Sequence, residues 1–505
     1  MNNFKRLHQI GFVVLMLLYL PNKQLLAQSK SDSTKKRPSV EAAQSVTEHS
    51  VRINGETVEY RAIAGTLPIY SNQNEPIASF GYTAYLKEGV DDLTKRPILF
   101  AFNGGPGSAS MWLHLGALGP RRIKLNDPEV VPPAPYELVN NQYSPLNVAD
   151  VVMIDPVGTG YSRAEGEKEN KYFWDEQHDI QSISQFIKAF IGTHNRWNSP
   201  KYVLGESYGT FRLAGIANYL LSREGIALNG IALVGTVLDL RTIAFGPSDI
   251  LPYVIYLPTY AAIARHYDKV DSSGSLENFM KEVQGFAVNE FAPALLKGNT
   301  LSDAEYKKVL NKLVQYTGLK KEFIDRANLR VKPAEFAKRI LHDTNKIVGR
   351  YDGRYNSSAM EPTVNRTFYD PSSSAISPAF ETMFLQYYHE DLNFGKDRQY
   401  MFSARGLPGF NWDWESSRGW PTSPNTASGL AKAMTLNPYL KVHIISGYYD
   451  LATPFFGSEY TFRQMNIPEE AQDNIQTTFL KAGHMSYIRL SALKKMHEVL
   501  SDFIK

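Results

Sequence analysis

The first regular pattern in the chain is an alternation of hydrophobic and polar residues between residues 50 and 86. It occurs in three short runs, which are separated by turn-forming residues such as Asn54 and Gly55. A period of two is typical of strands with one buried face. We therefore predict an antiparallel meander, because the runs are short and closely spaced. Its strands contain Val51–Ile53, Thr57–Ala62 and Ile77–Tyr85.

Hydrophobic runs further along the chain are continuous instead of alternating. Short continuous runs are typical of parallel strands that are buried on both faces. Helix-like stretches lie between them, notably Asp179–Ile191 and Phe211–Leu221. This alternation of β and α elements predicts an α/β fold with a doubly wound, mostly parallel sheet. The predicted strands are Ile98–Phe102, Val151–Ile154, Tyr202–Leu204, Ile231–Val234 and Val442–Ile445.

The β/α alternation stops between residues 239 and 437. That stretch has amphipathic helix patterns and loops rich in Tyr, Trp, Pro and Gly. Because a sheet strand resumes at Val442, we predict an inserted helical cap over residues 239–437, with a separate second domain as the alternative. The predicted core domain then comprises residues 49–238 and 438–505. The helix patterns cover residues 276–286, 302–317 and 332–341.

The N-terminus has the features of an export signal. Basic residues precede an apolar run from Ile10 to Leu20, and Ala27 offers a small residue at a cleavage point. The run is shorter than the roughly 20 residues needed to cross a bilayer. A cleaved signal peptide over residues 1–27 is therefore favoured over a membrane anchor. The Ser- and Lys-rich stretch 28–48 is predicted to be a disordered leader.

Composition narrows the possible partners and the cell compartment. The net charge of +3 is small, and basic residues are interleaved with acidic ones, so the sequence does not indicate a nucleic-acid partner. The sequence contains no cysteine, which excludes disulfides and thiolate metal sites. Exported chains without cysteine are more typical of a bacterial cell envelope than of a eukaryotic secretory route. We therefore predict a periplasmic or secreted protein, without stable membrane insertion after signal cleavage.

A short motif places a serine at a sharp turn between a strand and a helix. Gly205–Gly209 follows the predicted strand Tyr202–Leu204 and precedes the helix-like Phe211–Leu221. In a nucleophile elbow, glycines allow the strand and the helix to approach closely, while the strained turn exposes the serine hydroxyl above the sheet. Ser207 is thus the predicted nucleophile.

The C-terminal part of the chain supplies the two other groups that acyl transfer by serine requires. Asp450 follows the predicted strand Val442–Ile445, and His484 follows the strand-like Thr477–Leu480. The order Ser, Asp, His is that of nucleophile-elbow enzymes built on such a sheet. We predict that His484 is the general base and then acid, and that Asp450 orients its imidazole.

Backbone amides are the predicted donors to the oxyanion. One amide is that of Tyr208, directly after the nucleophile, and the other lies in the glycine-rich loop Asn103–Gly107, which follows a predicted strand. Glycines let backbone amides approach a substrate because no Cβ intervenes. The alternative for this loop is a simple tight turn.

Taken together, these motifs resemble the signature blocks of the serine carboxypeptidase family, in the family's order. The resemblance implies an α/β-hydrolase fold with a helical cap and the removal of C-terminal amino acids from peptides. It implies that the amides of Gly105 and Tyr208 form the oxyanion hole, and that Asn103 and Glu206 bind the terminal carboxylate of the substrate. No metal or organic cofactor is implied. The blocks are Asn103–Gly107, Asp155–Ser162, Gly205–Gly209, Asp450 and Gly483–Met485.

The chain departs from the family pattern in the recognition of that carboxylate. A Glu can bind a carboxylate only if one of the two groups is protonated. In the family a second Glu shares a proton with the first, and Ala117 stands at the matching position here. Guanidinium groups bind carboxylates in a bidentate way. Arg121, Arg122 and Arg212 could supply such a positive partner, although a surface or structural role is favoured for each of them.

Two features of the predicted cap have open roles. The tryptophans Trp412, Trp414 and Trp420 either line an apolar pocket for substrate side chains or pack in the core. The motif Val348–Tyr355 resembles cap sequence in bacterial relatives, but the sequence provides no physical account of it.

We predict, in sum, an exported serine carboxypeptidase-like hydrolase that acts on peptides through an acyl-enzyme on Ser207. One alternative is an esterase or acyltransferase with the same catalytic triad. The other is an inactive binding protein on this fold.

Overall fold

Two sets of strands make up the central sheet, in agreement with the two hydrophobic patterns. The computed structural model describes residues 42–125, 133–246, 248–271, 273–361, 363, 369–414 and 423–505. The strands are β1 (Gln44–Ile53), β2 (Glu56–Tyr70), β3 (Pro76–Lys87), β4 (Ile98–Phe102), β5 (Arg121–Ile123), β6 (Leu138–Asn140), β7 (Asp150–Ile154), β8 (Arg163–Ala164), β9 (Lys201–Glu206), β10 (Gly230–Val234), β11 (Lys346–Val348), β12 (Asn356–Ser358), β13 (Lys441–Gly447) and β14 (Ile475–Leu480).

Helices cover the sheet and fill the insertion between β10 and β13. They are α1 (Met111–Leu113), α2 (Glu176–Thr193), α3 (Tyr208–Glu224), α4 (Leu251–His266), α5 (Leu276–Phe286), α6 (Ala292–Lys297), α7 (Asp303–Thr317), α8 (Lys321–Arg326), α9 (Pro333–Arg339), α10 (Pro371–Gln386), α11 (Ala427–Leu436), α12 (Phe455–Gln464), α13 (Glu469–Gln472) and α14 (Leu490–Ile504). All described residues belong to one compact unit.

The order of strands in the main sheet is β1-β2-β3-β7-β4-β9-β10-β13-β14, and the short β8 pairs with β3. The strands β1, β2 and β3 are antiparallel, which confirms the predicted meander. From β7 to β14 each neighbouring pair is parallel. The carboxyl ends of these parallel strands lie at one edge, where ligands bind in open α/β sheets. The predicted site residues lie at the ends of β4, β9, β13 and β14 or shortly after them.

The two faces of the sheet support two hydrophobic layers. In β4, Ile98, Phe100 and Phe102 belong to the layer that contains apolar residues of α2, α3 and α11. Leu99 and Ala101 belong to the opposite layer, with apolar residues of α10 and α14. Every residue of β4 is buried. The continuous apolar runs therefore form strands covered on both faces, as the sequence predicts.

The insertion has a hydrophobic core of its own, to which α4, α5, α7 and α9 contribute. The helix α5 matches the predicted helix at 276–286, and α7 begins one residue after the predicted start. The sequence pattern does not single out α4, because every residue from Pro252 to Ala264 is buried and the helix has no polar face. The helix α11, within the predicted cap range, packs in the layer with α2 and α3.

At the N-terminal side, β1 begins at Gln44, within the predicted leader. Residues 44–48 pair with β2, with Gln44 opposite Gly65, so the prediction of disorder is wrong for them. Their hydrophobic signal is weak because β1 is an edge strand whose first seven residues are exposed or half-buried. The predicted signal peptide, residues 1–27, lies outside the described residues. Among the described residues, no helix is long and apolar enough to cross a membrane.

Candidate active site

The predicted nucleophile lies at a strained turn. The strand β9 ends at Glu206 and α3 begins at Tyr208, so Ser207 alone connects them, with φ 59° and ψ −129°. A positive φ is uncommon for a residue with a side chain and is retained where the surroundings impose it. Here the Ser207 amide donates to the carbonyl of Val234 on the adjacent strand, at 2.9 Å. The chain thus adopts the geometry that the elbow motif predicts.

His484 and Asp450 form a buried hydrogen-bonded pair. Nδ1 of His484 lies 2.8 Å from Oδ2 of Asp450, and the two side chains are 3% and 0% exposed. The other carboxylate oxygen of Asp450 accepts from the amides of Ala452 at 2.7 Å and Thr453 at 2.9 Å. These two amides fix the carboxylate, so its remaining oxygen is held toward the imidazole.

Thr453 is a further partner of this pair that sequence reasoning missed. Its Oγ1 donates to Oδ2 of Asp450 at 2.8 Å and lies 3.0 Å from Nδ1 of His484. Burial lowers the pKa of His484, but attraction to Asp450, the hydrogen bond with Asp450 and, when Glu206 is ionised, its charge outweigh this effect. The net effect raises the pKa of His484 above its ordinary value. The pair therefore stabilises an imidazolium, which a general base must become.

The motif Val348–Tyr355 holds His484 from the side of the insertion. The ring of Tyr351 stacks on the imidazole, with centroids 5.4 Å apart, and its carbonyl accepts from the His484 amide at 2.6 Å. Arg354 pairs with Asp352 at 2.5 Å and donates to the carbonyl of Lys481 at 2.6 Å. The motif thus joins the insertion to the loop that carries His484, which is the physical account that the sequence does not provide.

A cleft of about 380 Å³ opens above the carboxyl edge of the sheet. Five of the predicted site residues line it, namely Asn103, Gly105, Glu206, Ser207 and His484. Asp450 is fully buried, on the Nδ1 side of His484. The described structure thus brings the predicted nucleophile, base and glycine loop to one cavity.

The glycine loop lies directly against the elbow. A Cβ on Gly104 would be 2.5 Å from the amide nitrogen of Tyr208, a distance that no side chain tolerates. Gly105 has φ +110°, a conformation that residues with a side chain rarely adopt. The glycine loop therefore packs at Gly104 against the amide of Tyr208, and the oxyanion hole formed by the amides of Gly105 and Tyr208 stays a prediction.

Glu206 is buried at the end of β9 and has an unusual partner. The hydroxyl of Tyr487 donates to its Oε2 at 2.6 Å, and the side chain of Asn103 forms another hydrogen bond with it. Burial raises the pKa of Glu206 to about 7, against the opposing effects of His484, Tyr487 and Asn103. Glu206 thus keeps its proton up to nearly neutral pH. The sequence gives no signal for Tyr487 beyond its place three residues after His484.

Asn103 is fixed from two sides. Its Oδ1 accepts from the amide of Leu113 at 3.0 Å, and its carbonyl accepts from Arg212 at 2.8 Å. Arg212 is fully buried and pairs with Asp179 at 2.7 Å. Its role is therefore structural, as the sequence favours, and it is not among the residues that line the cleft.

The other two predicted arginines also lie elsewhere. Arg121 donates to Oδ1 of Asn140 at 2.6 Å, and Arg122 lines a separate cavity. Among the described residues, the arginines that line the cleft are Arg350, which lies in the motif Val348–Tyr355, and Arg405, and neither is among the arginines considered as carboxylate ligands from the sequence. Both come from the insertion between β10 and β13, so only the tertiary fold brings them to the site.

The tryptophans of the insertion pack behind the elbow. The rings of Trp412 and Trp414 contact the ring of Tyr208, with centroids 5.2 and 5.6 Å apart, and neither is among the residues that line the cleft. Trp420 lies outside the described residues. The aromatic residues that line the cleft are Trp112, Tyr351 and Phe402.

Comparisons with known proteins indicate the family of this chain. The family model "Serine carboxypeptidase" matches residues 75–383. "Serine carboxypeptidase-like 2" of Arabidopsis thaliana is 29% identical over 151 residues, which are 28% of this chain and 33% of the relative. "Pheromone-processing carboxypeptidase KEX1" of Candida dubliniensis is 24% identical over 262 residues, which are 50% of this chain and 35% of the relative. The matched regions thus span about a third of these relatives' length.

A solved structure shares the fold over most of both chains. It is the crystal structure of KEX1(delta)P, a prohormone-processing carboxypeptidase from Saccharomyces cerevisiae. It aligns with a TM-score of 0.54 and 16% identity over 88% of this chain and 91% of the other. At this identity the likeness concerns the fold alone, and it confirms the predicted α/β-hydrolase fold.

Proposed function

The chain belongs to the serine carboxypeptidase family, and on that premise we propose that it releases C-terminal amino acids from peptides through an acyl-enzyme on Ser207. The observation that carries the proposal is the single cleft in which Ser207, His484 and the glycine loop meet. The pair of His484 with the buried Asp450 supports the role of His484 as the base.

In the proposed mechanism, His484 takes the proton of the Ser207 hydroxyl as Oγ attacks the carbonyl carbon of the last peptide bond. Asp450 stabilises the imidazolium that forms, and the amides of Gly105 and Tyr208 donate to the oxyanion. His484 then gives its proton to the leaving amine of the C-terminal amino acid. A water, deprotonated by His484, hydrolyses the acyl-enzyme and restores Ser207.

The terminal carboxylate of the substrate binds, in this proposal, to Asn103 and Glu206. Two bare carboxylates repel each other, so Glu206 must be protonated to donate a hydrogen bond to the substrate. Its pKa of about 7, raised by burial, supports this state below neutral pH. Arg350 and Arg405 add positive charge to the same cleft.

The insertion at residues 239–437 acts as the cap of the site in this proposal. The contacts of Tyr351 with His484 and the cleft-lining position of Arg405 support that role. The N-terminal sequence supports export to the periplasm or the medium by the signal peptide that it predicts. Peptides are the proposed substrates.

Substitution of the nucleophile is the first test of the mechanism. Ser207→Ala should lower turnover by about 10⁴ to 10⁶-fold, because the remaining groups provide binding but no covalent step. A fluorophosphonate probe should label wild type at Ser207 and leave the variant unlabelled. Activity within about tenfold of wild type in the variant would rule out this nucleophile, and absence of labelling in wild type would favour an inactive binding protein.

The substrate class can be tested by varying the C-terminal group of the peptide. A blocked dipeptide with a free C-terminus should be cleaved, whereas its C-terminal amide should be cleaved at a much lower rate, since it has no carboxylate for Asn103 and Glu206. Cleavage of a p-nitrophenyl ester without cleavage of the dipeptide would instead indicate an esterase or acyltransferase with the same triad.

A further inference from the structure

The environment of Glu206 brings together polar groups from three other parts of the chain. Tyr487 donates to Oε2 of Glu206 at 2.6 Å, and Asn103 forms a second hydrogen bond. The charged groups that act on Glu206 are His484, which favours its ionised form, and Asp450, which favours its neutral form. Of these neighbours, only Tyr487 and Asn103 bond directly to the carboxyl group.

Tyr487 is held rigidly beside Glu206. The side chain is 2% exposed and its hydroxyl also interacts with Asn103. A Cβ on Gly116 would lie 2.5 Å from two ring carbons of Tyr487, so the ring occupies all the space on that side. Gly116 is therefore the small residue that makes room for this ring.

We propose that Tyr487 is a positioning residue for recognition of the substrate's terminal carboxylate, and that its hydrogen bond with Glu206 limits how far substrate binding extends to alkaline pH. The inference deepens the proposed function and rests on it. Tyr487 thus provides a hydrogen-bond partner for Glu206 in a chain that has Ala117 where the family pattern has a second Glu.

The direction of the effect follows from the donor. A hydroxyl that donates to a carboxyl group favours the ionised form and lowers its pKa, whereas burial raises it. Arg350, from the insertion, lowers the pKa of His484 and so reduces the positive charge that faces Glu206. Without the hydroxyl of Tyr487, Glu206 should keep its proton to a higher pH. Binding of a free carboxylate should then extend to a higher pH.

The experiment compares wild type with Tyr487→Phe by the pH profile of kcat/KM. For a blocked dipeptide with a free C-terminus, the alkaline limb should move upward by about one pH unit, the equivalent of one hydrogen bond to a charged group. For a p-nitrophenyl ester without a carboxylate, the alkaline side of the profile should not change. A purely structural loss would lower both activities at all pH values.

The matched control is Tyr260→Phe, which removes another buried hydroxyl that donates to the carbonyl of Val331 at 3.2 Å. The alkaline limb of the kcat/KM profile of Tyr260→Phe should stay at the pH at which it lies in wild type. Site-specific 3-fluorotyrosine at position 487 keeps the ring and strengthens the donor, so it should move the limb downward. This second variant also tests the inference if the Phe variant does not fold.

Two outcomes would overturn the inference. One is an alkaline limb that stays in place in both variants at position 487, and the other is an equal loss of dipeptide and ester cleavage across the pH range. If wild type cleaves the ester but not the dipeptide, the proposed function itself fails. If wild type cleaves the dipeptide and the limb does not respond, only the role of Tyr487 fails.

Discussion

Replacement of Glu206 by Gln should make the protein more stable at alkaline pH. Glu206 is fully buried, and burial raises its pKa from 4.5 to about 7. The unfolded chain releases this proton near pH 4.5, while the folded protein retains it to about pH 7. The folded state thus binds more protons in this window, so its free energy of unfolding falls as the pH rises. Above pH 7 Glu206 is ionised in both the folded and the unfolded state. Burial of its charge then lowers the free energy of unfolding by an amount that no longer changes with pH.

The magnitude follows from the difference of the two pKa values. At about 1.4 kcal/mol for each pH unit, the ionised Glu206 costs about 3 kcal/mol of folding free energy. Gln has a similar size, can accept from Tyr487 and does not ionise. The variant should therefore gain about 3 kcal/mol relative to wild type between pH 4.5 and pH 8. Other titrating groups, such as the buried Asp155, are common to both proteins and cancel in the comparison.

The assay is equilibrium unfolding in urea of wild type and Glu206→Gln at pH 4.5 and pH 8, with the free energies extrapolated to water. The control is Glu498→Gln, at a carboxylate that is 46% exposed and 3.3 Å from Lys495. The difference in the free energy of unfolding between Glu498→Gln and wild type should change little with pH. A stability difference for Glu206→Gln that is the same at both pH values would refute the raised pKa and the argument for a protonated Glu206.

Two further substitutions test the supports of the site. Asp179→Asn leaves the fully buried Arg212 without its partner and should lower the free energy of unfolding by about 3 to 5 kcal/mol. The control is Asp92→Asn, which changes the exposed ion pair of Asp92 with Lys95. Equal urea midpoints for Asp179→Asn and Asp92→Asn would contradict the prediction. Thr453→Val removes the hydroxyl beside Asp450 and His484. The variant should have a kcat/KM about tenfold below that of wild type at unchanged thermal stability. A kcat/KM equal to that of wild type would exclude a role of Thr453 in supporting the pair of Asp450 and His484.

Residues with a local sequence signal were predicted most completely. The elbow around Ser207 is encoded within five residues, and the strands that position Asp450 and His484 are short apolar runs. Their hydrogen bond is present in the structure, although the two residues are 34 positions apart. The order of the motifs and the parallel sheet were enough to place them at one edge.

Partners from distant parts of the chain could not be predicted in this way. Tyr487 and Glu206 are 281 positions apart, and neither motif nor spacing connects them. Arg212 has the chemistry of a carboxylate ligand, but its burial against Asp179 appears only in the folded chain. The helix α4 has no polar face, so periodicity does not distinguish it from a buried strand. In each case the missing information is tertiary packing.

The two buried acids of the site differ in their hydrogen-bond donors, and this difference separates their roles. Asp450 accepts from two backbone amides, from Thr453 and from His484, an arrangement that stabilises a charged carboxylate. Glu206 accepts from Tyr487 and Asn103, and its burial keeps it neutral to about pH 7. An acid that must face a substrate carboxylate needs its proton, whereas an acid that supports an imidazolium needs its charge. Glu206 and the pair of His484 with Asp450 can therefore act together only in a certain pH range. In that range Glu206 is protonated and His484 is neutral, so that it can accept a proton.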